Sequence, residues 1–342
     1  MSNTSSVLPE NMTEITIDQP GGPEVLIPRR VPVPRPAAGE VLVKVEAAGV
    51  NRPDVIQRQG HYPMPEGVNP TPGLEIAGRV AALGEGVTGV GVGEAICGLT
   101  NGGGYAEYCL VPSGQVLQLP AGLDMITASA IPETFFTVWA NLFQIGGAKE
   151  GQIVLVHGGS SGIGTTALAL CREFGIRAFA TAGSEEKCAA IAALGAEAVN
   201  YRTQDFAEVV TRRTGGHGAD VVLDIMGASY FDRNMAALAR DGRLVVIGFL
   251  GGTTTARFDL QQLALKRAIV TGSTMRGRTS EEKAGIATEL REKVWPILAA
   301  GRCLPIIHAV FPLLEAADAH RLMEGGSHVG KIVLKVANVQ GE

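Results

Sequence analysis

The residues with the clearest chemical meaning are Gly158-Gly159-Ser160-Ser161-Gly162-Ile163-Gly164, which follow the apolar run Ile153-Val154-Leu155-Val156-His157. Glycine has no Cβ, so such a turn can be sharp. Its backbone N–H groups can then approach a pyrophosphate at the positive end of the next helix. Ser161, Gly162, Ile163 and Gly164 are the expected cofactor contacts. Read from Gly158 the spacing is Gly-x-x-Ser-x-x-Gly, with Ser161 where the strict dinucleotide fingerprint has its second glycine. A ligand-free glycine turn is the alternative reading, but the flanks favour a nucleotide. Residues 165–174 continue as an apolar-faced helix, and residues 178–182 read as a second short strand, which completes a βαβ unit.

The end of that second strand bears on the choice of dinucleotide. An NAD-preferring unit places an acid there, about 20 residues after the glycine turn, to bind the ribose 2′-OH. Here the sequence is Thr181-Ala182-Gly183-Ser184-Glu185-Glu186-Lys187. The Ser184 hydroxyl and Lys187 ammonium suit a 2′-phosphate, and Tyr201, past the next strand, is a third candidate. Ser-Glu-Glu-Lys is also a helix N-cap with two acids in its first turn. Both roles are compatible if Glu185 and Glu186 point away, so NADPH is expected in preference to NADH.

These groups must be positioned by a chain of 342 residues, enough for two domains sharing a cleft. Charged residues make up 18%, the formal net charge is −5, and no Lys/Arg stripe exists, which argues against nucleic acid as the main partner. No apolar stretch reaches the roughly 18 residues that span a bilayer and the N-terminus lacks a signal-peptide pattern, so a cytoplasmic protein is expected. Cys97, Cys109, Cys171, Cys188 and Cys303 are scattered, without Cys-x-x-Cys spacing, which argues against a disulfide frame or a structural zinc. Residues 1–12 read as a disordered leader. Short β-like runs divided by Gly and Pro fill residues 13–130, and strands alternate with helices over residues 131–270. Residues 271–342 are expected to rejoin the first domain. The fold class is α/β, a β-rich barrel-like domain plus a doubly wound parallel sheet.

With these residues in view, the sequence resembles the zinc-independent quinone oxidoreductases of the medium-chain dehydrogenase/reductase superfamily, and most closely their p53-inducible branch. The markers are Asn51-Arg52-x-Asp54, Gln57-Arg58-Gln59-Gly60-x-Tyr62, Gly73-Leu74-Glu75-x-x-Gly78, Gly102-Gly103-Gly104, Ala130-Ile131-Pro132-Glu133, Gly183-Ser184-x-x-Lys187, Asn200-Tyr201 and Val329-Gly330-Lys331-Ile332-Val333-Leu334. The resemblance implies a discontinuous GroES-like catalytic domain, a central Rossmann domain for NADPH, and homodimers joining two Rossmann sheets edge to edge near residues 268–272. It implies that Asn51 and Thr137 lie near the nicotinamide and its ribose, that Phe249, Leu250, Thr274 and Met275 frame the nicotinamide end, and that Lys331 closes the phosphate side. The zinc alcohol dehydrogenases of the superfamily carry Cys where this chain has Asn51 and His where it has Leu74. Two of the donors a catalytic zinc uses are therefore missing, and no metal is expected.

Reducing a conjugated carbonyl also needs a proton or hydrogen bond at the oxygen that becomes negative. Tyr62 is the best candidate, with Asp54 and His61 as neighbouring possibilities. A quinone can take its proton from water, so an obligate acid is not expected. The leading reading is an NADPH:quinone reductase acting on quinones or similar electrophiles. The alternatives are reduction of the C=C bond of an enone or enoyl thioester, and a non-catalytic NADPH-binding protein.

Overall fold

The computed structural model describes residues 8–62, 67–120 and 122–336. In chain order its strands are β1 (Asn11–Ile17), β2 (Leu26–Pro32), β3 (Glu40–Val50), β4 (Glu75–Leu83), β5 (Ala95–Leu99), β6 (Tyr108–Pro112), β7 (Val116–Gln118), β8 (Ile153–Val156), β9 (Arg177–Ala182), β10 (Glu197–Asn200), β11 (Ala219–Asp224), β12 (Leu238–Val246), β13 (Ile269–Gly272), β14 (Ile307–Pro312) and β15 (Lys331–Lys335). The chain divides into two compact units, residues 1–133 with 277–342, and residues 134–276.

The first unit carries a seven-stranded sheet in the order β14-β15-β3-β4-β5-β7, with β6 paired to β3, and the separate hairpin β1-β2. Its strands alternate β-branched and small apolar residues, and Val41, Val43, Val45, Ile76, Val80, Ile96 and Ile332 form one buried core. Lys331 and Glu75 lie on the two strands that flank β3, at the end where β3 gives way to Asn51.

The second unit is a six-stranded sheet in the order β10-β9-β8-β11-β12-β13, parallel throughout. Counted from β8 this is 3-2-1-4-5-6, the doubly wound order of dinucleotide-binding sheets. Both faces of such a sheet are covered by helices, which explains why β8 reads as the unbroken apolar run Ile-Val-Leu-Val.

Three boundaries differ from the sequence expectation. The expected leader of residues 1–12 overlaps the first strand: β1 begins at Asn11, pairs with β2, and buries Met12 against Leu42 and Tyr108; residues 1–7 lie outside the described residues. Residues 131–133 stay with the first unit, where the Glu133 N–H donates to Glu75 Oε2 at 2.8 Å. Residues 271–276 stay with the second, because β13 continues to Gly272 and Ser273 Oγ donates to Asn141 Oδ1 at 2.7 Å.

Candidate functional site

In a parallel sheet every strand ends at the same edge, so the loops after β8, β9, β10, β12 and β13 share one side of the second unit. Those loops and the helix N-termini that follow them carry Ser161 to Gly164, Ser184 and Lys187, Tyr201, Phe249 and Leu250, and Thr274 and Met275 respectively. Topology thus brings together groups that are more than 100 residues apart in the chain.

After β8 the chain turns through Gly158 at φ +68°, a conformation that side-chain-bearing residues rarely adopt. A Cβ at Gly159 would strike the side chains of Ala180 and Ile191, and one at Gly164 would strike the backbone of Gly158 and Gly159. The turn therefore requires glycine for close packing. Ser161 is the N-cap of the helix Gly162–Glu173, and its Oγ accepts from the Gly164 N–H at 3.0 Å. Ser161 in place of a second glycine is thus accounted for by the cap, and the N-terminus of a twelve-residue helix opens beside the turn.

Ser184 caps the helix Glu185–Ala193, accepting from the Lys187 N–H at 3.3 Å. Asn200 Nδ2 donates to Glu185 Oε1 at 2.5 Å, so this acid is committed to β10. The hydroxyl of Tyr201 stands where a Cβ on Gly183 would lie, which places the phenol directly over the Gly183-Ser184 turn. Burial pulls the Lys187 ammonium below its ordinary range, Glu186 opposes this, and the charge of Arg202 adds to it. Arg202 is therefore close enough to matter electrostatically, a cation that sequence reasoning passed over although it adjoins Tyr201.

Thr137 lies in the helix Pro132–Val138, whose Thr134 Oγ1 accepts from Thr166 Oγ1 at 3.1 Å on the glycine-turn helix. The Thr137 Oγ1 is buried and has no hydrogen-bond partner, an arrangement that favours a polar ligand group. Phe249 and Leu250 are 53% and 54% exposed, which is unusual for large apolar side chains. Thr274 is exposed and Met275 is buried.

The first unit carries a separate buried cluster. Asn51 starts the helix Arg52–Arg58, and its N–H donates to Asp54 Oδ2 at 2.8 Å. Its amide is pinned from both sides: Nδ2 donates to Glu75 Oε1 at 2.9 Å, and Lys331 Nζ donates to Oδ1 at 2.5 Å. The ammonium also donates to Glu75 Oε1 at 2.6 Å and to the Val50 carbonyl at 3.3 Å. Gly49 makes room for this, because a Cβ there would collide with the Glu75 side chain. With all three donors engaged and only 3% exposed, Lys331 is a partner of Asn51 and Glu75. In this arrangement the ammonium donates to these three partners and not toward the expected phosphate contact. β15 lies beside β3 and directs the lysine to the buried carboxylate.

Asp54 is fully buried and accepts from the N–H groups of Asn51 and Gly73 and from the Tyr105 hydroxyl, so it is a structural carboxylate. His61 is exposed, and its N–H closes the preceding helix on the Ile56 carbonyl at 2.9 Å. Tyr62 is half-buried, and residues 63–66, which follow it, lie outside the described residues.

A parallel sheet in the 3-2-1-4-5-6 order with a glycine turn after its first strand defines a dinucleotide-binding protein. Comparisons with known proteins narrow this. The family model for the alcohol dehydrogenase GroES-like domain matches residues 37–121, and that for zinc-binding dehydrogenase matches residues 162–290. The pig quinone oxidoreductase is 32% identical over 94% of this chain and 97% of its own length. Among solved structures, a mycobacterial protein complexed with NADPH superimposes with a TM-score of 0.82 at 30% identity, covering 95% of this chain and all of the other. An NAD-dependent alcohol dehydrogenase superimposes with a TM-score of 0.83 at 32% identity over 95% of this chain and 100% of that one. The chain belongs to the quinone oxidoreductase family of the medium-chain dehydrogenase/reductase superfamily and is an oxidoreductase.

Proposed function

We propose that this protein is an NADPH-dependent quinone oxidoreductase that works without zinc in the cytoplasm. The observation that carries the cofactor choice is the cluster around Gly183. Ser184, Lys187, Tyr201 and Arg202 offer a hydroxyl, a phenol and two cations, while Glu185 is held by Asn200. A 2′-phosphate would find donors there, and a 2′-hydroxyl would find no free carboxylate at Glu185.

When bound, the nicotinamide supplies a hydride to an electron-poor acceptor. The chain's own residues hold and orient the dinucleotide. The glycine turn and the Ser161-capped helix end receive the pyrophosphate, and the orphaned Thr137 hydroxyl is satisfied by a polar group of the cofactor. Phe249, Leu250, Thr274 and Met275 shield the reacting ring from water. Asn51, whose amide orientation is fixed with Oδ1 to the ammonium and Nδ2 to the carboxylate, would contact the nicotinamide. Tyr62 donates a hydrogen bond to the acceptor oxygen, with water completing protonation.

The donor set does not suit zinc. Asn51 and Leu74 replace the sulfur and imidazole of the zinc enzymes, and Glu75 is already neutralised by Lys331. We also propose a homodimer formed through β13, an edge strand beside the exposed side chains of Leu260, Leu265 and Ile269.

Oxidation of NADPH and of NADH at 340 nm with ortho- and para-quinones, an enone and a crotonyl thioester, with a chelator present, tests this reading. Quinone turnover that prefers NADPH and ignores the chelator is expected. Turnover of the enone or thioester alone, or NADPH binding without any turnover, would overturn it.

A further inference from the structure

His157 is fully buried immediately before the glycine turn, and it heads a chain of hydrogen bonds that crosses the second unit. Its Nε2 lies 2.6 Å from Asn234 Oδ1 and its Nδ1 lies 3.0 Å from Thr181 Oγ1. The direction of every bond is fixed by the ends. Asn234 Nδ2 donates to Asp224 Oδ2 at 3.1 Å, and the same carboxylate accepts from the N–H groups of Met226 at 2.7 Å and Gly227 at 3.1 Å. Asn234 Oδ1 is therefore an acceptor, so Nε2 carries the imidazole proton and Nδ1 accepts. Nδ1 then takes the Thr181 hydroxyl proton, which leaves Thr181 Oγ1 free to accept the Gly158 N–H at 3.3 Å. The Thr181 carbonyl accepts from the next amide, Gly159, at 2.9 Å.

Packing keeps the chain in one arrangement. The imidazole is boxed edge-on by Phe206 and Tyr230, with ring centroids at 4.7 and 4.9 Å, and Arg233 lies over both rings. Thr181 is 1% exposed at the end of β9, two residues before Gly183. One side chain is thus fastened to the pyrophosphate turn and stands next to the 2′-phosphate cluster.

We propose that Thr181, oriented by the His157–Asn234–Asp224 chain, is the positioning residue that sets the dinucleotide-binding turn before cofactor arrives. It takes the Gly158 N–H through its hydroxyl and the Gly159 N–H through its carbonyl, so the turn enters binding already shaped. The cofactor part of this inference rests on the reading that the turn holds NADPH.

The test uses the full chain with Thr181→Val, which keeps the shape and removes the hydroxyl, and Thr181→Ser, which keeps the hydroxyl. Two quantities are read: amide hydrogen exchange at Gly158 and Gly159 without cofactor, and the NADPH dissociation constant by calorimetry. Thr181→Val is expected to speed exchange at Gly158 and raise the dissociation constant about tenfold, the equivalent of one net hydrogen bond, while Thr181→Ser restores both. A lower melting temperature in Thr181→Val with both quantities unchanged would mean a merely structural threonine and would overturn the proposal. If Thr181→Val does not fold, Asn234→Ala is measured in the same way, and unchanged Gly158 exchange overturns it. Failure of the unaltered protein to bind NADPH would sink the proposed function alone, since the cofactor-free exchange still decides whether Thr181 sets the turn.

Discussion

Substituting His157 with glutamine removes a titrating group but leaves an amide able to donate to Asn234 Oδ1. Burial pushes the pKa of His157 down from 6.5 to about 4, the Asn234 hydrogen bond works against this, and Arg233 adds to it. Stability tied to the neutral imidazole is therefore fully present above pH 6.5 and is lost as pH falls through about 4. At 1.36 kcal/mol per pH unit the whole shift corresponds to about 3 kcal/mol, of which about 2 kcal/mol falls between pH 7 and pH 5. Asp224 behaves in the opposite sense. Burial lifts it from 3.8 to about 6 against three hydrogen bonds, so its contribution is present at low pH and lost as pH rises through 6. The two groups oppose each other over the same window. Asp224 and the buried His320, which desolvation pulls from 6.5 to about 3, titrate in both proteins, so their contributions cancel in the difference between them. Urea denaturation of both proteins at pH 5, 6 and 7, at one protein concentration, should give a difference that grows by about 2 kcal/mol from pH 5 to pH 7. A difference independent of pH would refute the reasoning, because it would mean that His157 titrates alike in the folded and unfolded chain.

Other consequences are equally direct. Lys331→Met strands the Glu75 carboxylate and should cost about 4 kcal/mol by thermal or chemical denaturation, most of it recovered in Glu75→Gln/Lys331→Met; equal stabilities for the single and double variants would contradict a buried ion pair. Lys187→Ala should raise the KM for NADPH about tenfold and leave NADH nearly unaffected, so a parallel loss with both cofactors would remove the phosphate role. Tyr62→Phe should retain substantial quinone turnover, and near-complete loss with unchanged NADPH affinity would reveal an obligate acid. Ile269→Asp, placed on the exposed edge strand, should shift sedimentation from dimer to monomer, and an unaltered dimer would point to another surface.

Much of this protein is legible in its sequence. The glycine turn, the continuous apolar strands and the Ser184 cap are local signals: each depends on residues a few positions apart, on backbone geometry that glycine permits and on burial that an apolar run requires. The absence of Cys and His at Asn51 and Leu74 was likewise plain, because ligand chemistry is a property of residue type. Tertiary structure decided the rest. Lys331 meets Asn51 and Glu75 only because β15, β3 and β4 are adjacent, a pairing across 256 residues that no spacing rule reports. His157 read as one more member of an apolar strand, and its partners Thr181, Asn234 and Asp224 come from β9, the helix Phe231–Ala237 and β11. The sequence alone determines which groups are present and which short segments can turn, cap or pair. Which buried donors meet which acceptors depends on strand order and register, since the cost of burying a polar group is met by partners that the chain brings together only when it folds.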